Sequence, residues 1–158
     1  MKRDDFLKLA ISLALPLLAG FIGSYFTTPA IPEWYAGLEK PAINPPSWVF
    51  APAWTTLYVL MGVAFFLVWK KKDEIKDFFA LVLVFIVQLF LNATWSFFFF
   101  GIRSPELAGV NILLLLVAIF LMMILFFRVN KVSGYLLLPY FLWTVFATYL
   151  NFQIIILN

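Results

Sequence analysis

Residues 107–127 read LAGVNILLLLVAIFLMMILFF, an apolar run with no charged residue. An α-helix rises about 1.5 Å per residue, so about 20 such residues cross the hydrocarbon core of a bilayer. Read outward from this run, the pattern repeats. The sequence predicts five spans, approximately Phe6–Phe26, Trp48–Trp69, Phe78–Phe100, Leu107–Phe127 and Tyr135–Leu157. The predicted fold is a single all-α membrane domain over residues 1–158, a bundle of five transmembrane helices. Composition agrees, since 65% of the 158 residues are hydrophobic and 12% are charged. A soluble domain carries roughly 25% charged residues, and a chain this short could not hide so much apolar surface from water. The first span follows Met1-Lys2-Arg3, as a signal peptide would. It is longer than a signal peptide's usual apolar region and lacks a small-residue cleavage pattern, so it reads as a retained helix.

The cations sort by loop. Lys2, Arg3 and Lys8 precede or begin the first span. Lys70, Lys71, Lys72 and Lys76 fill the second linker, and Arg128 and Lys131 the fourth. Only Lys40 and Arg103 occupy the alternate loops. Short loops rich in Lys and Arg stay cytoplasmic, which predicts an inside N-terminus. The proline-rich first loop, residues 27–47, and the C-terminus then lie outside. A net charge of +3 divided this way is not a nucleic-acid footprint.

Histidine and cysteine are absent. That removes disulfides and the usual protein ligands of zinc and iron–sulfur centres, and no metal site is expected. No ionisable residue falls in the middle of a span, which argues against proton relays and ion-coupled pumps. Paired carboxylates for acid–base hydrolysis are missing too.

Aromatic and amide residues carry the remaining signal. The first loop holds Trp34, Tyr35, Pro45 and Pro46, and Trp48 opens the second span. Pro45 and Pro46 suit a helix start, and Pro52 is expected to kink the second helix. Beyond it Trp54, Tyr58 and Met61 recur on one face. Trp34 and Trp48 suit an interfacial aromatic belt or a pocket equally well. In the third span Gln88, Asn92 and Trp95 share a face, which must point inward because unpaired amides are costly in hydrocarbon. Helix-to-helix hydrogen bonding and ligand contact both remain open for it. The fifth span offers Trp143, Ala147 and Asn151 at fourfold spacing, with Pro139 able to bend it. The small residues Ala19, Gly20, Gly23 and Ser24 permit close helix approach within one chain or between two. Together these residues predict a cavity in the outer half of the bundle, suited to a flat apolar or amphipathic ligand.

Three ordered motifs, residues 34–61, Gln88 to Trp95 and Pro139 to Asn151, resemble the translocator protein or tryptophan-rich sensory protein (TspO/MBR) family over essentially the whole chain. The resemblance implies a five-helix bundle, usually a homodimer, whose pocket binds porphyrins such as protoporphyrin IX or haem as ligands, with no required cofactor. It implies pocket roles for Tyr35, Asn92, Trp95, Ala147 and Asn151. It further implies light-dependent porphyrin breakdown relying on Trp54 and Trp143. The expected partners are membrane lipids and a porphyrin or another flat hydrophobic molecule. A non-catalytic lipid, sterol or isoprenoid carrier and a membrane signalling scaffold are the competing readings. The sterol motif of animal members lacks its cation here, because Val145 and Tyr149 are followed by Phe152, Gln153 and a run of isoleucines.

Overall fold

The computed structural model describes residues 3–158; Met1 and Lys2, named above for topology, lie outside the described residues. Five long helices account for the chain: α1 (Arg3–Ala30), α2 (Phe50–Trp69), α3 (Phe78–Ser96), α4 (Pro105–Val129) and α5 (Lys131–Leu157). Each belongs to a helical segment long and apolar enough to cross a membrane. No strand occurs among the described residues.

Local chemistry sets the helix ends. The Asp77 side chain accepts the Ala80 N–H at 3.1 Å and starts α3. Ser104 accepts the Leu107 N–H at the head of α4, with Pro105 in the first turn where its missing N–H costs nothing. Asn130 ends α4 and starts α5 at once. Its backbone N–H bonds to Phe126 O, and its side chain accepts from Val132 and Ser133. A single capping residue therefore replaces the seven-residue linker expected from the hydropathy. At the other end α1 runs four residues past Phe26 and takes Pro29 into its last turn.

Two further differences have backbone causes. Pro52 does not interrupt α2. It is the third residue of α2, within its first turn, and the helix runs on through it to Trp69. After Ser96, α3 widens into a π turn, Phe97–Gly101. The turn closes with Ile102 N–H on Phe97 O and Ser104 N–H on Phe98 O, leaving Arg103 in the left-handed region at φ 57°.

Gly20 and Gly23 of α1 approach side chains of the same chain, while Ser24 is exposed. A methyl group added at Gly20 would overlap the Tyr58 ring, and one at Gly23 would sit 2.9 Å from Ser96 Oγ. Lower down, Gly62 of α2 lies against the backbone of Ser12 and Leu13. The half of the bundle nearest Trp69 is packed with buried aromatic rings. Phe65 stacks on Phe85 with ring centres 4.1 Å apart, and Phe126 covers both.

Contacts at the two ends show how the loops alternate. Lys70 pairs with Asp5 at 3.9 Å, and Lys71 Nζ donates to Val129 O. At the opposite end Arg103 pairs with Glu33, and Asn158 exchanges two hydrogen bonds with the Glu39 backbone. The start of α1 thus shares an end with the second and fourth linkers. The first loop shares the other end with the third linker and the end of α5.

A candidate ligand cavity

Opposite this packed half, the helices part around a cavity of about 420 Å³. That volume lies within the range of small-molecule sites, roughly 300–1,000 Å³. Trp54 and Tyr58 of α2 form one wall, their rings stacked 5.7 Å apart at 27°. Trp95 forms another, stacked on Phe99 at 5.1 Å. Ile112 and Leu115 contribute apolar surface from α4, and Ala147 and Asn151 line it from α5. Tyr35 reaches in from the first loop, buried against Phe99 and Phe100. The exposed Phe21 and Thr28 of α1 and Ala51 and Thr55 of α2 are also lining residues, so the cavity is open along the seam between these helices.

Polar groups in the cavity are largely engaged with one another. Tyr58 OH donates to Asn92 Oδ1 at 2.7 Å, and Asn92 Nδ2 donates to Tyr140 OH. Tyr140 OH in turn donates to Gln88 Oε1 at 2.9 Å. This chain of bonds ties α2, α3 and α5 together in the interior and leaves Gln88 Nε2 without a protein partner. Trp95 Nε1 donates to Asn151 Oδ1, and Asn151 Nδ2 donates to the Pro105 carbonyl. Tyr35 OH donates to Asn44 Oδ1. Burial raises the Tyr35 phenol above its ordinary pKa and the Asn44 bond offsets part of that, so the group is a neutral donor at physiological pH. No charged side chain lines the cavity among the described residues.

Of the residues singled out from sequence, Tyr35, Trp54, Tyr58, Asn92, Trp95, Ala147 and Asn151 meet at this cavity. Trp34, Pro45, Pro46, Gln88 and Trp143 do not line it. Trp34 packs edge-on against Phe99 and Phe100 behind Tyr35. Pro46 begins the 3₁₀ turn that leads into α2, and the Pro45 carbonyl accepts from Asn44. Gln88 is fully buried, about two helical turns from Trp95 on the same face. Trp143 stands eight residues before Asn151, and at about 100° per residue that separation rotates its side chain by about 80°. Its ring meets Phe50 at 6.1 Å instead, and its buried Nε1–H has no partner. Phe50 does line the cavity, so Trp143 is one ring removed from it. Phe99 and Phe100 were not singled out from the sequence, although Phe99 stands seven residues after Asn92 and four after Trp95 on the inward face of that span. The run of four phenylalanines at 97–100 follows Ser96, and the π turn alters its register.

Fold and site define a multi-pass integral membrane protein whose helices enclose an aromatic-walled, uncharged cavity in one half of the bundle. Residues 12–157 match the TspO/MBR family. The chain is 41% identical to the tryptophan-rich protein TspO of Archaeoglobus fulgidus, across 98% of this chain and 99% of that one. It is 38% identical to the human translocator protein, across 87% and 82%. With the tryptophan-rich sensory protein of Cereibacter sphaeroides it shares 35% identity across 80% and 77%. The chain belongs to the TspO/MBR family of membrane translocator and sensory proteins.

Proposed function

We propose that this protein binds a tetrapyrrole in the outer-half cavity and supports its light-dependent breakdown. The observation that carries the reading is the cavity wall. Trp54, Tyr58, Trp95 and Phe99 present aromatic surface around an uncharged space. A flat macrocycle gains both apolar burial and ring contact from such a lining. In the photochemical step, an indole at the wall gives an electron to the photoexcited ring, and the reduced ring passes it to dioxygen as superoxide. The indole radical cation takes an electron back from the ring, so that oxidised ring and superoxide combine with net addition of dioxygen to the macrocycle and the indole is restored. Titration of the purified protein with protoporphyrin IX, in the dark and then illuminated, tests this. Saturable quenching of tryptophan fluorescence and a light-driven fall of the porphyrin band are expected, with no such response to a sterol. Absence of saturable quenching would remove the tetrapyrrole reading and favour a lipid carrier or a scaffold.

The orientation and assembly belong to the same proposal. The cation-rich ends, including Lys70, Lys71 and Arg128, face the cytoplasm on the positive-inside rule, and two copies associate as the family resemblance implies. Because the chain has no cysteine, single-cysteine variants report on both. Lys72→Cys should react with an impermeant thiol reagent only in inverted vesicles, and Ala36→Cys only in intact cells. Labelling from one side in both variants would overturn the topology. A monomeric mass for the same variants in lipid nanodiscs would overturn the dimer.

A further inference from the structure

A ligand with an anionic end meets a constraint in this cavity. Burying a carboxylate is costly unless a cation or several donors compensate it. The interior amides are poorly placed to do so. Both the oxygen and the nitrogen of Asn92 and of Asn151 already have protein partners, and no cation lines the walls. With no charge in the walls, the strongest counterpart for an anionic group is a cation beside the cavity, at the first-loop end of the bundle.

Two cations stand at that end of the bundle. Arg103 faces Glu33 in a separate hollow with Tyr25 and Phe26, and Phe100 is the wall common to the two spaces. Lys40 is placed differently. Its Nζ lies 4.7 Å from the centre of the Tyr35 ring, and Tyr35 lines the cavity. Its one hydrogen bond is to the Leu38 carbonyl, at 2.8 Å, and it forms no ion pair among the described residues. The ammonium is held over the ring of a cavity-lining tyrosine, with no carboxylate partner among the described residues.

Building on the tetrapyrrole reading, we infer that Lys40 is a specificity-determining residue. It selects ligands that carry a carboxylate at one edge of a flat apolar body. The apolar edge enters toward Ile112 and Leu115, and the carboxylate stays beside Tyr35 and Lys40. Neutral flat molecules of the same outline have no counterpart for this charge.

Protoporphyrin IX and its dimethyl ester share one ring system and differ in charge, so they isolate the effect. Their affinities for the wild type, Lys40→Gln and Lys40→Arg are measured by tryptophan quenching in the dark. A charge-assisted hydrogen bond at a partly dehydrated site corresponds to roughly tenfold in affinity. The wild type should prefer the acid to the ester by about that factor. Lys40→Gln should lose the preference by weakening acid binding alone, and Lys40→Arg should keep it. Equal binding of acid and ester by the wild type overturns the inference and leaves the tetrapyrrole reading intact. So does equal weakening of both ligands in Lys40→Gln. No saturable binding of either compound overturns the tetrapyrrole reading and this inference with it.

Discussion

Trp54→Phe is expected to keep protoporphyrin binding within about tenfold of the wild type while losing most of the light-dependent decay. Phe retains a flat apolar ring at the cavity wall, and one aromatic contact is worth only about 0.5–1.5 kcal/mol beyond burial. The chemistry is less forgiving, because a benzene ring is much harder to oxidise than an indole. Trp54 is stacked on Tyr58 and touches the edge of Tyr140, so its plane is fixed where a bound ring would lie. Trp143→Phe is expected to slow the decay as well, but by less, since its electron must pass Phe50. Trp69, set against Phe65 at the packed end of the bundle, supplies the control and should change neither property. Absorbance decay under constant illumination, with dark affinity measured separately, distinguishes the outcomes. Wild-type bleaching in all three variants would mean that the protein only binds and that the photochemistry belongs to the ligand.

The five helices were legible because length and hydropathy alone decide whether a segment can span a bilayer, and neither depends on what it packs against. The alternation of loops was legible for the same reason, since it follows from the number of spans. Helix ends were less so. Asn130 compresses a linker that hydropathy drew from Arg128 to Gly134, because capping is made by one side chain and two N–H groups. Face assignments held along α3 and drifted along α5. Asn151 and Ala147 line the cavity, whereas Trp143, placed with them by fourfold spacing, has rotated toward Phe50. What no single-helix pattern contains is the identity of the partner across the gap. Gln88 and Asn92 pointed inward as expected, but Tyr58 and Tyr140 come from other helices to bond Asn92, and Tyr140 bonds Gln88. The ambiguity of the small residues in α1 was of the same kind, and for Gly20 and Gly23 the answer lay in Tyr58 and Ser96.

Gly62→Ala is expected to destabilise the protein more than a methyl group added at Gly20 or at Gly37. In an unconstrained helix the change would be favourable, because alanine is roughly 1 kcal/mol better than glycine in a helix interior. At Gly62 the new Cβ would lie 2.8 Å from both Leu13 Cα and Ser12 O. Those are backbone atoms of α1, so no side chain can swing aside and the two helices must separate. Overpacking of this kind costs roughly 1–3 kcal/mol and reverses the sign set by propensity. Separation here would also widen the cavity farther up, since α1 and α2 supply the two lips of its open seam. Gly20→Ala meets the Tyr58 ring instead, a movable group, though one anchored by its bond to Asn92. Its cost should be intermediate. Gly37→Ala meets nothing within 4 Å and should leave stability near the wild-type value. Thermal unfolding of the three variants in one detergent therefore ranks them, with Gly62→Ala lowest, Gly20→Ala next and Gly37→Ala beside the wild type. A Gly62→Ala protein that melts at or above the wild-type temperature would mean that α1 and α2 do not approach backbone to backbone in the membrane.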